Sequence, residues 1–201
     1  MMRFMLLVHG HLYELRCLWI GRLTLLTCLC LSTSNASGVD RDLNDEAVRF
    51  TGHAGGFLYV ANQGWNESPW LGSYVITIYR AGEVPLFTDG TVAKRDGQLM
   101  AVLTADLDGD GQPELILCFS EGQRRFGAVH IYRIHPDGSL TRTWQDRFDW
   151  HADIPEYGAR DRFFIRDGSL YRKFEWLENT EPGLRQYRLN YPDGAWEPVK
   201  E

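Results

Sequence analysis

Apolar runs of five to seven residues recur along this chain, and turn signals, most of them Asp-Gly, interrupt each one before a helix of ordinary length could form. The runs occupy residues 57–61, 74–79, 99–104, 115–119, 128–134, 140–144, 162–166, 170–176 and 185–189. Thr88-Asp-Gly90, Asp96-Gly97, Pro136-Asp-Gly138, Asp167-Gly168 and Pro192-Asp-Gly194 stand between them. Asp and Gly tolerate the left-handed backbone that tight hairpin turns require, so run, Asp-Gly, run reads as an antiparallel hairpin. No segment sustains a helical period, and only 151–160 has room for a short helical turn. The pattern predicts an all-β protein, a single-domain antiparallel β-sandwich built from hairpins, with at most a short helix.

One turn carries more chemistry than the others. Ala105-Asp-Leu-Asp-Gly-Asp-Gly-Gln-Pro-Glu-Leu115 places Asp106, Asp108, Asp110 and Glu114 at positions one, three, five and nine of a tight loop. A hard cation such as Ca²⁺ takes oxygen ligands at this spacing. An EF-hand would carry a bidentate Glu at position twelve, where this chain has Leu117, and the flanks are strand-like rather than helical. Calcium bound by these four carboxylates and a solvated Asp-Gly turn without metal are both compatible with the residues. No other cofactor is implied. The loop occurs once, which excludes a propeller carrying one such loop per blade.

The first 36 residues read as an export signal: Arg16 and Arg22 precede the apolar stretch 23–31, and Ser34 and Ala36 are small residues suited to cleavage. The apolar stretch is shorter than the roughly 20 residues a membrane span needs. The expected organisation is a signal at 1–36, a loose arm at 37–50 and one β-sandwich domain at 51–201. Cleavage would remove three arginines and one glutamate, taking the formal charge from −6 to −8. That balance argues against nucleic acid and against an anionic membrane surface, and it suits a cationic partner. Cys17, Cys28 and Cys30 would leave with the signal, so Cys118 remains alone and no intrachain disulfide can form. The expected location is periplasmic or secreted.

Two family resemblances follow from these residues. The acidic loop resembles the calcium loop of FG-GAP and VCBS repeats. A longer ordered series is similar to periplasmic inhibitors of invertebrate-type (I-type) lysozyme. It runs through Gly72-Ser-Tyr-Val-Ile-Thr-Ile-Tyr79, the acidic loop and Ser120-Glu-Gly-Gln-Arg-Arg-Phe-Gly127. It continues with Asp161-Arg-Phe-Phe-Ile, Asp167-Gly-Ser-Leu-Tyr-Arg-Lys-Phe174, Gly183-Leu-Arg-Gln-Tyr-Arg-Leu189 and Trp196. This resemblance implies a β-sandwich that blocks a glycoside hydrolase and performs no chemistry itself, with a cationic lysozyme as partner. The family's inhibitory loop, rich in Gly and Ser with one aromatic, corresponds to residues 120–127. Ser120, Gly122, Phe126 and Gly127 fit the pattern. Gln123, Arg124 and Arg125 replace small residues, and Phe126 stands where the family usually has Tyr. Lysozymes cut sugar polymers with paired carboxylates, and a guanidinium pairs with a carboxylate through a planar fork that Lys cannot reproduce. Arg124 and Arg125 therefore suit a lysozyme cleft, with Phe126 as an apolar anchor. The alternative reading is a calcium-stabilised, VCBS-like binding module for a glycan or protein. Self-association as a homodimer stays open.

No catalytic set emerges. His53, His130, His135 and His151 match no zinc-ligand spacing, and neither a Gly-X-Ser-X-Gly elbow nor a phosphate loop occurs. Asp146-Arg-Phe-Asp149 pairs two acids without marking them for acid–base work. Trp65 and Trp70 bracket a loop-like stretch and are the best candidates for stacking on sugar, against the alternative of edge packing in a sandwich.

Overall fold

The computed structural model describes residues 5–8 and 11–14 and, from residue 48 on, all but 122–125, 147–153, 155–156, 179–180 and 200–201. The chain divides into two units, residues 1–35 and 36–201. In the first, β1 (Met5–Val8) pairs antiparallel with β2 (His11–Glu14). The expected export signal otherwise lies outside the described residues, as does most of the 37–50 arm. The arm's expected boundary falls inside the first strand of the second unit.

The second unit is all-β, as predicted, and its described residues contain no helix. Three four-stranded antiparallel sheets follow one another along the chain, each a plain meander. The first holds β3 (Arg49–Ala54), β4 (Phe57–Gln63), β5 (Leu71–Arg80) and β6 (Leu86–Asp96). The second holds β7 (Gln98–Ala105), β8 (Glu114–Glu121), β9 (Phe126–Ile134) and β10 (Leu140–Gln145). The third holds β11 (Arg162–Arg166), β12 (Ser169–Glu178), β13 (Glu181–Asn190) and β14 (Ala195–Pro198).

Side-chain alternation explains how the sheets stack. Successive residues of a strand point to opposite faces, so a strand buried on one face alternates apolar with polar, and one buried on both reads as a continuous apolar run. Residues 115–119 of β8 are such a run, and all five are buried. Leu115, Leu117 and Phe119 pack with Phe50, Tyr59, Tyr74, Ile76 and Ile78 of the first sheet. Ile116 and Cys118, joined by Val129 and Ile131 of β9, pack with Leu170 and Leu189 of the third. The middle sheet is thus covered on both faces, and the sandwich has three layers. Cys118 is a buried, free thiol whose ionisation burial strongly opposes.

Asp-Gly turns close the hairpins β9–β10, β11–β12 and β13–β14, with Gly138, Gly168 and Gly194 at positive φ. Two turn signals act differently. Asp96-Gly97 joins β6 to β7, which lie in different sheets. Thr88-Asp-Gly90 lies inside β6: Ile78 pairs with Asp89 and Tyr79 with Phe87, leaving Thr88 as a bulge whose hydroxyl donates to the Ile78 carbonyl at 3.1 Å. Of the expected helical turn at 151–160, residues 151–153 and 155–156 lie outside the described residues, and Tyr157 instead forms a β-bridge with Trp176.

Candidate functional site

The two segments singled out in the sequence sit at opposite ends of one strand. The acidic loop leads into β8 at Glu114, and the 120–127 segment leads out of it; eight residues of strand separate the ends by roughly 25 Å. Whatever the acidic loop does, it does not belong to the surface around residues 120–127.

In the acidic loop the carboxylates fold back on the backbone. Asp106 accepts from the amides of Gly109 and Gly111 at 2.8 and 2.9 Å, Asp110 from Gln112 at 2.8 Å, and Glu114 from Leu107 at 2.9 Å. Asp106, Asp108 and Glu114 each bring an oxygen within 4.8 Å of the others, a compactness a hard cation tolerates. A residue the sequence reading missed, Arg133 of β9, sits among them. Its guanidinium donates to Glu114 at 2.9 and 3.3 Å, pairs closely with Asp108 and lies 3.6 Å from Asp110. The cause is register: Arg133 is directly opposite Glu114 across the β8–β9 ladder. The side chain of Glu114 is fully buried, and burial raises its pKa although Leu107 and Arg133 act to lower it. A dication would have to share this space with a guanidinium already paired to Asp108, Asp110 and Glu114, so the loop as arranged is a charge cluster with its own internal cation.

At the other end, Ser120 pairs with Gly127 and Glu121 with Phe126, so residues 122–125 connect two hydrogen-bonded strands. Gly122, Gln123, Arg124 and Arg125 lie outside the described residues, as does the Phe126 side chain. Gly127 is fixed by close approach: a Cβ there would come within 2.6 Å of the Asp161 Cβ and 2.7 Å of the Phe163 ring.

A second loop, residues 64–70, reaches the same end of the molecule. Ser120 pairs with Gln98, and the amide of the adjacent Gly97 donates to the Trp70 carbonyl at 2.6 Å. Arg95, 2% exposed, organises this loop from within. It donates to the carbonyls of Ser68, Pro69, Ser73 and Gly97 at 2.7–2.9 Å, and Glu67 lies 3.6 Å away. With its backbone so held, the loop and the start of β5 turn Trp65, Trp70 and Leu71 to solvent, at 78, 42 and 61% exposure.

The remaining polar groups are structural. Tyr74, buried between the first two sheets, shares its hydroxyl with His130 Nδ1 at 2.8 Å and with the Tyr132 hydroxyl at 2.5 Å. Burial, with a smaller push from Arg142, lowers the His130 pKa to about 4. His135 bonds Thr141 at 3.1 Å. His151 and Asp149 lie outside the described residues. A cleft of about 440 Å³ is lined by Lys94, Asp96, His130, Arg142 and Gln145, and one of about 250 Å³ by Met100, Phe119, Ser120 and Arg160.

Comparison with known proteins agrees with one of the two resemblances. Residues 48–145 match the family model described as periplasmic lysozyme inhibitor of I-type lysozyme. The matched span begins one residue before β3 and ends with β10, so it takes in the first two sheets and the hairpin between β8 and β9. The third sheet lies outside it, together with the motifs from Asp161 to Trp196. No curated protein sequence matches the chain. Among solved structures, the chain is similar to PliI-Ah, a periplasmic lysozyme inhibitor of I-type lysozyme from Aeromonas hydrophyla, with 27% identity over 49% of this chain and 87% of that one, at a TM-score of 0.46. It is similar too to Aeromonas hydrophila PliI in complex with Meretrix lusoria lysozyme, with 27% identity over 49% of this chain and 83% of that one, at a TM-score of 0.45.

Proposed function

We propose that this chain, whose residues 48–145 match the inhibitors of I-type lysozyme, is itself an exported, proteinaceous lysozyme inhibitor that blocks the target's active-site cleft with the hairpin between β8 and β9. The observation that carries the reading is the family match over the two sheets that hold this hairpin. The protein is a binder and not an enzyme, in keeping with the family. Residues 1–36 serve as its export signal, 51–201 as the inhibitor domain, and the periplasm or the exterior is its place of action.

The contact surface is Ser120, Gly122, Gln123, Arg124, Arg125, Phe126 and Gly127. Arg124 and Arg125 give guanidinium forks for the paired carboxylates of a lysozyme cleft, and Phe126 the apolar anchor. Trp65 and Trp70, exposed in the 64–70 loop, meet the rim of the cleft. The formal charge of −8 after loss of the signal draws in a cationic lysozyme, so association slows as salt is added. A calcium-stabilised binding module has no comparable support, since Arg133 already pairs with the acidic loop.

The test is inhibition of lytic activity across invertebrate-, chicken- and goose-type lysozymes. The expected result is stoichiometric inhibition of the invertebrate type. Lysis unaffected in all three, with folded protein in molar excess, would overturn the reading.

A further inference from the structure

We propose that Asp161 and Arg172 of the third sheet's region, with Asp146, are positioning residues that hold the base of the β8–β9 hairpin; this rests on the reading of that hairpin as the inhibitory element. β10 ends at Gln145, whose partner on β9 is His130. β9 begins four residues earlier, at Phe126, and among the described residues no strand lies beside that stretch on the β10 side. An unpaired stretch of strand exposes backbone donors and acceptors that must find other partners.

Side chains supply three of them and the Asp146 backbone a fourth. The Gly127 amide donates to Asp161 Oδ2 at 2.7 Å, and the Gly127 carbonyl accepts from Arg172 Nη2. The Val129 amide donates to Asp146 Oδ2 at 3.0 Å, and the Val129 carbonyl accepts from the Asp146 amide at 2.9 Å. Four consecutive outward-facing groups of β9 are thus paired as a neighbouring strand would pair them.

The three charged residues are braced in turn. Arg172 is fully buried, donates to Asp161 at 2.5 Å and to Asp146 at 3.3 Å, and lies over the rings of Phe163 and Trp196. Trp196 donates to Asp146 at 2.8 Å, and the Tyr157 hydroxyl donates to Asp161. Asp146, Tyr157, Asp161, Phe163, Arg172 and Trp196 all lie beyond residue 145, outside the span that matches the inhibitor family. The third sheet therefore adds a brace to the strand that carries the tip. A loop held in one geometry avoids an ordering cost on binding that a loose one must meet.

The test compares wild type with Asp161→Asn, which keeps size but puts an amide group where two or more donors converge, and with Tyr157→Phe, which removes one donor to Asp161 and keeps the ring. Three readouts are taken: inhibition constant against invertebrate-type lysozyme, melting temperature, and amide hydrogen exchange. Expected for Asp161→Asn are inhibition weakened at least tenfold and exchange at least tenfold faster at Gly127 and residues 122–126, with protection in β4 and β5 unchanged. For Tyr157→Phe, threefold in each is expected. Inhibition within twofold of wild type, or exchange that accelerates uniformly across the sheets, overturns the brace. Should wild type inhibit no lysozyme, the inhibitor reading fails while the exchange pattern still decides whether the brace exists; should Asp161→Asn not fold, Tyr157→Phe decides.

Discussion

Arg133→Met removes the internal cation of the acidic loop while keeping an apolar stem of similar length. Glu114 then stays in the fully buried position it occupies now, with the Leu107 amide as its remaining partner. Removing one partner of a buried ion pair costs about 3–5 kcal/mol, because the other charge is left without compensation. The Arg133 side chain keeps 27% exposure, and water can reach the vacated space, so the expected loss falls to about 2–3 kcal/mol. For a unit of this size that lowers the melting temperature by roughly 4–12 °C. The loss has a pH signature. Burial already raises the Glu114 pKa, and losing Arg133 raises it further. A carboxyl whose folded pKa exceeds its unfolded value binds its proton more tightly when folded, so the variant's deficit shrinks as pH falls toward 5 and grows as pH rises above it. Glu114→Gln in the same background should recover part of the stability at pH 7. The assay is thermal melting of the single and double variants at pH 5 and 7, with and without millimolar calcium. A deficit below 1 kcal/mol, or one independent of pH, would refute the argument that Arg133 neutralises this loop. A wild-type melt that rises by several degrees with calcium would show that metal, not Arg133, is the principal counter-ion.

Leu170→Ala, a truncation at a fully buried position in the third layer, should cost about 2–5 kcal/mol in a single melting transition; a loss under 1 kcal/mol would mean that the third sheet does not pack on the second. His130 should remain neutral on NMR titration down to pH about 4, and a midpoint above 6 would contradict its burial against Tyr74. Its depressed pKa contributes stability that is complete above pH 6.5 and lost as pH falls toward 4; Asp146, pushed up to about 6 by burial, opposes this by losing stability as pH rises through the same window. Trp65→Ala with Trp70→Ala, both at exposed positions, should leave the melting temperature within 2 °C, on the order expected for surface changes, and weaken lysozyme binding about tenfold, about 1.4 kcal/mol; unchanged binding would remove the 64–70 loop from the contact surface.

The strands with compact apolar runs were legible in the sequence, from 57–61 through 185–189, because burial on a face imposes its period directly on the residues. In the second unit β3, β6 and β14 were not, for a different reason in each case. β3 runs along a sheet edge and contains Gly52, beneath the Tyr59 ring; β6 carries its bulge at a Thr-Asp-Gly that reads as a turn; β14 has four residues. The third layer had a signal that could have found it, since the uninterrupted run 115–119 implies cover on both faces. The buried arginines had none. Arg95 and Arg172 look like ordinary solvated charges on strands, and only the register that brings carbonyls and carboxylates around them makes them interior residues. For the same reason Arg133 was missed although the three carboxylates it serves were plain: spacing along a chain shows which ligands gather, not what crosses from the next strand to meet them.

The most direct measurement is the inhibition constant of the intact protein against an invertebrate-type lysozyme, taken side by side for wild type and for Arg124→Ala with Arg125→Ala. The account predicts inhibition by wild type and at least a tenfold weakening in the double variant, about 1.4 kcal/mol, at an unchanged melting temperature. Equal constants for the two proteins would contradict it.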